Sequence, residues 1–150
     1  MIIREMNKSE CAAVIAQARV ARLAVSREDQ PYLVPVHFAY AAPFFYSFTM
    51  PGQKIEWMRQ NPKVCMLIEQ YSAGREWRSV VAYGRFEELP DRIGWKRERD
   101  HAWSMLGKQA SWWEPGGLKP VPGPSANAAE HLFYRIEVES MTGRQSVDAD

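Results

Sequence analysis

Hydrophobic and polar residues alternate along five stretches of the chain, a period of two that predicts strands with one buried face. These stretches are residues 22–26, 31–40, 44–50, 77–89 and 132–140. A sixth stretch, 64–71, is apolar on both faces and predicts a central strand buried on two sides. Apolar residues spaced by three and four predict helices within 11–18, 54–59 and 95–106. About six strands joined by short turns predict a mainly β fold, an antiparallel barrel with helical decorations.

Length and charge narrow the class of protein. The 150 residues fit a single domain, 1–150. The 19 basic and 18 acidic residues are scattered, so no basic stripe predicts binding to nucleic acid or to an anionic membrane. No apolar run is typical of a signal peptide or a membrane span, and we expect a cytoplasmic protein. Cys11 and Cys65 have no nearby cysteine or histidine partners in the sequence, which favours reduced core residues over a disulfide or a zinc site.

The strand predicted for residues 31–40, PYLVPVHFAY, carries a proline and a histidine. Large apolar side chains occupy its even positions, whereas the odd positions are Leu33, Pro35, His37 and Ala39. A proline inside a strand indicates an edge, a bulge or a place where something other than a neighbouring strand lies alongside. A flat heterocycle would fit such a place. His37 taken alone is more typical of an ordinary strand histidine.

Residues 44–50, FFYSFTM, predict a second strand that forms a hairpin with the first. The expected register places His37 opposite Ser47 and Pro35 opposite Thr49, because paired residues share a face. The polar groups of the two strands would then converge on one side of the hairpin.

The turn after this hairpin, MPGQK at residues 50–54, opens a predicted helix. Backbone amides at a helix start, the hydroxyls of Ser47 and Thr49, and the ammonium group of Lys54 together favour a phosphate group. The turn is therefore a candidate phosphate pocket. The alternative is a solvated lysine, which is the usual state of a lysine in the first turn of a helix.

The order and spacing of five segments resemble a known family. The chain is similar to the FMN-binding split-barrel superfamily of pyridoxamine 5'-phosphate oxidase-like proteins, and to its branch that includes nitroimidazole-resistance (NimA-like) proteins. The resemblance covers about residues 20 to 90 and the last strand, and extends only loosely over 95–130. The segments are RLAVS, PYLVPVHFAY, YSFTMPGQKIEWMRQNPKVCMLIE, WRSVVAYGRFEEL and FYRIEVESMTGR.

The resemblance implies a six-stranded antiparallel split barrel that forms a homodimer, with FMN in the groove between the subunits. It implies that the isoalloxazine ring lies along Val34, Pro35 and Val36. It assigns the phosphate and ribityl end of FMN to Ser47, Thr49, Gln53 and Lys54. It places Trp77, Arg78 and Ser79 at the border of the flavin, in either subunit. His37 would lie near the ring as the catalytic candidate, where it hydrogen-bonds the flavin or passes a proton to a substrate.

The function that follows from the resemblance is an FMN-dependent oxidoreductase that reduces a small aromatic or nitro-aromatic compound. Electrons would come from a reduced nicotinamide or from another reductase. The C-terminal segment SMTGRQSVDAD lacks the arginine-rich substrate motif of true pyridoxamine phosphate oxidases, so vitamin B6 oxidation is not expected. A deazaflavin in place of FMN stays open.

Two alternatives use the same residues differently. The first is a non-catalytic module that stores or senses a flavin or heme. The second is an interaction module with no cofactor, which leaves Pro35 unexplained. The pair Trp112 and Trp113, beside a Pro-Gly-Gly run, favours a dimer contact over a lid on the flavin.

Overall fold

A computed structural model of the chain describes residues 1–108 and 132–148, and these fold around one antiparallel sheet. The sheet order is β3-β2-β6-β7-β8-β5-β4, and β1 pairs with β8. The order begins and ends with strands that are consecutive in the chain, so the sheet curls into a barrel that is open between them. The strands are β1 (Ile2–Glu5), β2 (Val20–Arg27), β3 (Gln30–His37), β4 (Ala39–Ala41), β5 (Phe44–Thr49), β6 (Lys63–Tyr71), β7 (Trp77–Leu89) and β8 (Leu132–Val147).

Three α-helices decorate this sheet in the described residues: α1 (Lys8–Gln17), α2 (Gln53–Gln60) and α3 (Lys96–Gly107), which follows a short 3₁₀ turn, Ile93–Trp95. Asn7 caps α1 in a reciprocal arrangement with Glu10, in which each side chain accepts a hydrogen bond from the other residue's backbone N–H. None of these helices combines the length and apolar character that crossing a membrane requires.

Two groups of buried side chains fill the space between the sheet and the helices. The larger lies inside the barrel and includes Leu23, Met66, Ile68 and Val80, each at most 1% exposed. The smaller lies between β5, β8 and α3; its members include Tyr46, Phe48, Leu89, Ala102, Leu106 and Phe133. The helices therefore cover different parts of the sheet, and no helix within residues 1–108 and 132–148 lies on the outward side of β3, β2, β6 and β7.

The predicted mainly β split barrel is confirmed, with a larger number of strands. All six predicted strands are present, but the stretch 31–40 divides into β3 and β4, and β1 was not predicted. The sequence of β1, IIRE, does not alternate between apolar and polar residues, and all four residues are exposed, so no pattern predicts a strand there. The prediction that residues 64–71 are buried on both faces is wrong for a single chain: β6 lies centrally, but buried positions alternate with half-buried ones.

A β-bulge interrupts the long pairing of β7 with β8 at Gly84. The register shifts between Tyr83 and Gly84, as expected from a glycine within this strand. A Cβ atom at Gly84 would lie 2.5 Å from the backbone oxygen of Glu137. The two strands thus approach more closely at this bulge than any side chain permits, and the bend helps the sheet to curl.

Candidate functional site

The chain changes partner at Phe38, so the predicted hairpin register is wrong. β3 pairs with β2, which places Pro35 opposite Arg22 and His37 opposite Val20. The short strand β4 forms the predicted hairpin with β5, in a different register. Alternation predicts the two faces of β3 correctly. The face that the hairpin was expected to share is wrong: Tyr40 lies opposite Phe45 and Ala39 opposite Tyr46, so Ser47 and Thr49 lie on the side of Tyr40 and not on that of Ala39.

Ser47 and His37 nevertheless meet at this bend. The Ser47 hydroxyl donates a hydrogen bond of 2.7 Å to the backbone carbonyl of His37. Ser47 is 1% exposed and lies opposite Tyr134 of β8 in the sheet. The contact fixes the end of β3 against β5, and it holds the half-buried His37 at the opening of the barrel.

Helix α2 begins directly beyond β5, and its first turn has no side-chain cap. Gly52 occupies the N-cap position without a side chain that could accept from the first amides. The Thr49 hydroxyl is buried and donates to the carbonyl of Met50 at 3.0 Å. Gln53 is exposed and Lys54 is half-buried at the start of the helix. The backbone amides and the positive end of the helix dipole can therefore bind an anionic oxygen.

A second candidate surface lies on the sheet itself. The outer face is the side of β3, β2, β6 and β7 that points away from the core. Its central row runs across the strands from Pro35 to Arg22, Leu67 and Val81, which are successive partners in the sheet. Large apolar side chains dominate the rest of this surface, and two of them, Leu33 and Tyr83, are 61% and 54% exposed. The outer face is defined here by Arg22, Ala24, Leu33, Pro35, Cys65, Leu67, Glu69, Tyr71, Trp77, Ser79, Val81 and Tyr83.

The predicted flavin residues of β3 divide between the two sides of the sheet. Pro35 is exposed on the outer face, whereas Val36 is 2% exposed and Val34 packs against the core. A ring on the outer face would therefore contact the Pro35 side chain and the backbone of its neighbours. Pro35 lacks an N–H group, which leaves an apolar surface at this point of the strand.

The predicted flavin residues of β7 divide in the same way. Trp77 and Ser79 lie on the outer face, opposite Tyr71 and Glu69. Arg78 points to the other side, towards α1, where its charge contributes to lowering the pKa of Glu10; the largest cause of that lowering is a hydrogen bond from the Asn7 backbone.

Pro35 and Ser79 of one chain are far apart although they share a face. β3 and β7 are separated by β2 and β6, so the distance between them is three strand spacings, roughly 14 Å. A three-ring heterocycle that lies on Pro35 therefore does not reach Ser79 of the same chain.

Sequence reasoning missed a polar network on the outer face. The Arg22 Nε donates to Oε1 of Glu69 at 3.1 Å, and the Tyr71 hydroxyl donates to Oε2 of the same carboxylate at 2.5 Å. The hydrogen bond from Tyr71, and next the one from Arg22, hold the pKa of Glu69 below its usual value. The bond to Glu69 raises the pKa of Tyr71. One sequence signal pointed to these residues. Arg22 on β2, and Leu67 and Glu69 two residues apart on β6, occupy positions that alternation places on the outward side of their strands.

One predicted feature, the dimer contact of Trp112 and Trp113, lies outside the described residues. The site as described here is built from β3, β5, α2 and the outer face.

Comparisons with known proteins agree with this architecture. A profile of the pyridoxamine 5'-phosphate oxidase family matches residues 7–145. An uncharacterized protein of Rhizobium meliloti is 51% identical over 144 residues, which cover 96% of this chain and 95% of that protein.

Solved structures share the fold over nearly the whole chain. An FAD-binding protein of Mesorhizobium loti is 46% identical, with a TM-score of 0.81 over 98% of this chain and 100% of that one. A candidate 5-nitroimidazole antibiotic resistance protein of Bacteroides thetaiotaomicron is 21% identical, with a TM-score of 0.71 over 97% of this chain and 89% of that one. The chain belongs to the pyridoxamine 5'-phosphate oxidase-like family of split-barrel proteins.

Proposed function

We propose that this protein is a homodimeric, flavin-dependent oxidoreductase that binds FMN between its subunits and reduces a small aromatic or nitro-aromatic compound. The observation that carries the proposal is an uncapped helix start beside Ser47 and Thr49, adjoining a strand whose proline faces outward. When bound, a flavin supplies hydride transfer at its N5 atom, chemistry that no amino-acid side chain provides.

The phosphate end of the cofactor is assigned to the start of α2. The amides of its first turn point along the helix axis and away from any side-chain cap, so they can donate to phosphate oxygens. Lys54 adds a positive charge, and Gln53 adds an amide donor. Ser47 and Thr49 lie on β5, just before this helix start, and both are almost fully buried.

The ring is assigned to the outer face of β3. The Pro35 side chain offers an apolar surface, and the backbone of Val34 and Val36 lies on either side of it. His37 is two residues further along the same face, at the point where Ser47 holds its carbonyl. From there its imidazole would hydrogen-bond the ring or donate a proton to a bound substrate.

A second copy of the chain is assigned to the outer face. Its apolar surface, with Leu33 and Tyr83 more than half exposed, is typical of a surface that another protein covers. Because Pro35 and Ser79 are about three strand spacings apart, Trp77 and Ser79 would border the flavin of the partner. This arrangement gives both predicted flavin segments a role.

FMN and FAD share the isoalloxazine ring, the ribityl chain and the first phosphate, so the residues above serve either cofactor. The Mesorhizobium loti relative is named for FAD binding. Mass spectrometry of the flavin released from the purified protein distinguishes the two, and we expect FMN. Release of FAD alone would replace FMN with FAD in this proposal and leave the assigned residues unchanged.

Lys54→Ala is expected to weaken FMN binding several-fold or more, because it removes a charge-assisted contact of about 1 to 2 kcal/mol with the phosphate. The dissociation constant is measured by fluorescence titration of the flavin-free protein. The matched control is Lys96→Ala, which removes a lysine from the first turn of another helix, α3. Equal affinities in the two variants would remove Lys54 from the phosphate site.

Reductase activity is tested with the flavin-loaded protein, a reduced nicotinamide and a nitro-aromatic acceptor. We expect steady consumption of both compounds over many turnovers, and a fall in the rate for His37→Ala with flavin still bound. A flavin that binds tightly but shows no turnover with any donor and acceptor pair would favour the non-catalytic alternative.

A further inference from the structure

Arg22 occupies a special position next to the proposed ring site. It is the direct sheet partner of Pro35, so their Cβ atoms are roughly 5 Å apart on the same face. β3 is the first strand of the sheet order, and β2 is its neighbour. A flat ring on Pro35 therefore has one long edge beside the Arg22 side chain.

The guanidinium group of Arg22 is held in place and still has donors to offer. Its Nε donates to Glu69, and the side chain remains 54% exposed, against 20% for Glu69. Arginine carries five N–H donors in a rigid plane, so the anchored Nε leaves the terminal amino groups for another acceptor. Tyr71 holds the carboxylate from its other oxygen, which fixes the geometry of the pair further.

The charges of the pair are ordered across the sheet. The cation on β2 is one strand spacing from Pro35, whereas the carboxylate on β6 is two spacings away. A ligand on Pro35 is therefore exposed to the positive end of the pair. A second copy of the chain on the outer face would exclude water and strengthen this field.

We propose that Arg22, positioned by Glu69, binds the polar edge of the flavin and stabilises its reduced form over its oxidised form. The proposal rests on the proposed function, because it needs a flavin at Pro35. Reduction adds negative charge to the ring system, so a fixed cation at its edge favours the reduced state and raises the midpoint potential. Glu69 acts as a positioning residue, and its own charge opposes this effect.

Two substitutions test the proposal because they shift the potential in opposite directions. Arg22→Met removes the cation and is expected to weaken the binding of reduced flavin about tenfold relative to the binding of oxidised flavin. That change lowers the midpoint potential by about 30 mV for a two-electron couple. Glu69→Gln keeps an amide oxygen that can accept from the Arg22 Nε but removes the opposing charge, so it is expected to raise the potential.

The potentials are measured by spectroscopic titration against a reference dye on the flavin-loaded proteins. Arg85→Met is the matched control, since Arg85 is also an exposed arginine of the sheet, four residues beyond Val81 along β7. It should leave the potential unchanged. If Arg22→Met does not fold by circular dichroism, Arg22→Gln replaces it, and the sign of the Glu69→Gln shift still decides.

The outcomes separate this proposal from the proposed function. Opposite shifts in the two variants support an electrostatic role of Arg22. If both midpoint potentials shift in the same direction, or if the Arg22 variant has the same potential as the Arg85 variant, the proposal is overturned while flavin binding stands. A native protein that binds no flavin overturns both.

Discussion

Glutamate in place of Leu33 or of Tyr83 is expected to convert the proposed dimer into monomers and to release the flavin proposed to lie between its subunits. Both side chains are more than half exposed in the single chain, at 61% and 54%, so their replacement should not disturb its core. In the proposed dimer each would become a buried, unpaired carboxylate, which costs about 3 to 5 kcal/mol. The dimer dissociation constant should rise about 100-fold or more.

Light scattering coupled to size-exclusion chromatography measures the mass of each variant, and absorption of the same peak measures its flavin. Ile93→Glu is the matched control, because Ile93 is 97% exposed and lies on the 3₁₀ turn before α3, away from the outer face. The Ile93→Glu variant should keep the mass of two chains and should retain its flavin. Leu33 and Tyr83 variants that remain dimeric with full flavin content would remove the outer face from the dimer interface.

Gly84→Ala is expected to destabilise the fold by about 2 to 3 kcal/mol, the upper part of the usual range for overpacking. The added methyl group would lie 2.5 Å from the Glu137 backbone oxygen and 2.7 Å from a side-chain carbon of Ile136. Because backbone atoms form part of the contact, β7 and β8 must separate at the bulge. The melting temperature should fall by about 5 to 10 °C for a chain of this length.

Thermal unfolding followed by circular dichroism measures this shift, at equal protein concentration and equal flavin saturation. Gly94→Ala provides the control, since a Cβ atom at Gly94 meets no atom within 4 Å. Its melting temperature should match the native one. If the two alanine variants have the same melting temperature, the close approach of the strands at Gly84 does not limit the stability of the fold.

Sequence patterns predicted the elements well because alternation is a local property. The buried positions of β2 and β7 follow the predicted alternation, and Gly84 marks the bulge because an isolated glycine in a strand has few other uses. The division of β3 into an apolar and a polar face is also correct, with Val36 buried and Pro35 exposed.

Pairing was harder to predict because it depends on where the chain bends. The backbone N–H of Phe38 bonds to the carbonyl of Arg19, and the chain then leaves β2 to pair with β5. No residue type in PYLVPVHFAY marks this change, since alternation continues through it. The expected contact between His37 and Ser47 exists for a different reason, a hydrogen bond from a hydroxyl to a backbone carbonyl.

The resemblance to a family located segments but not the faces of individual side chains. It named Trp77, Arg78 and Ser79 together, although neighbours in a strand point to opposite sides of the sheet. Alternation marks Arg22 and Glu69 as outward positions of their strands but does not pair them, because 47 residues separate the two. The fold places β2 beside β6 and so brings the pair together.

The most direct test of the flavin site is an absorption and fluorescence spectrum of the protein purified without added cofactor, repeated after incubation with FMN and removal of the excess. We expect retained flavin at about one per subunit in the second preparation, on a protein with the mass of two chains. A protein that retains no flavin in either preparation would contradict the assignment of the α2 start and Pro35 to a flavin site.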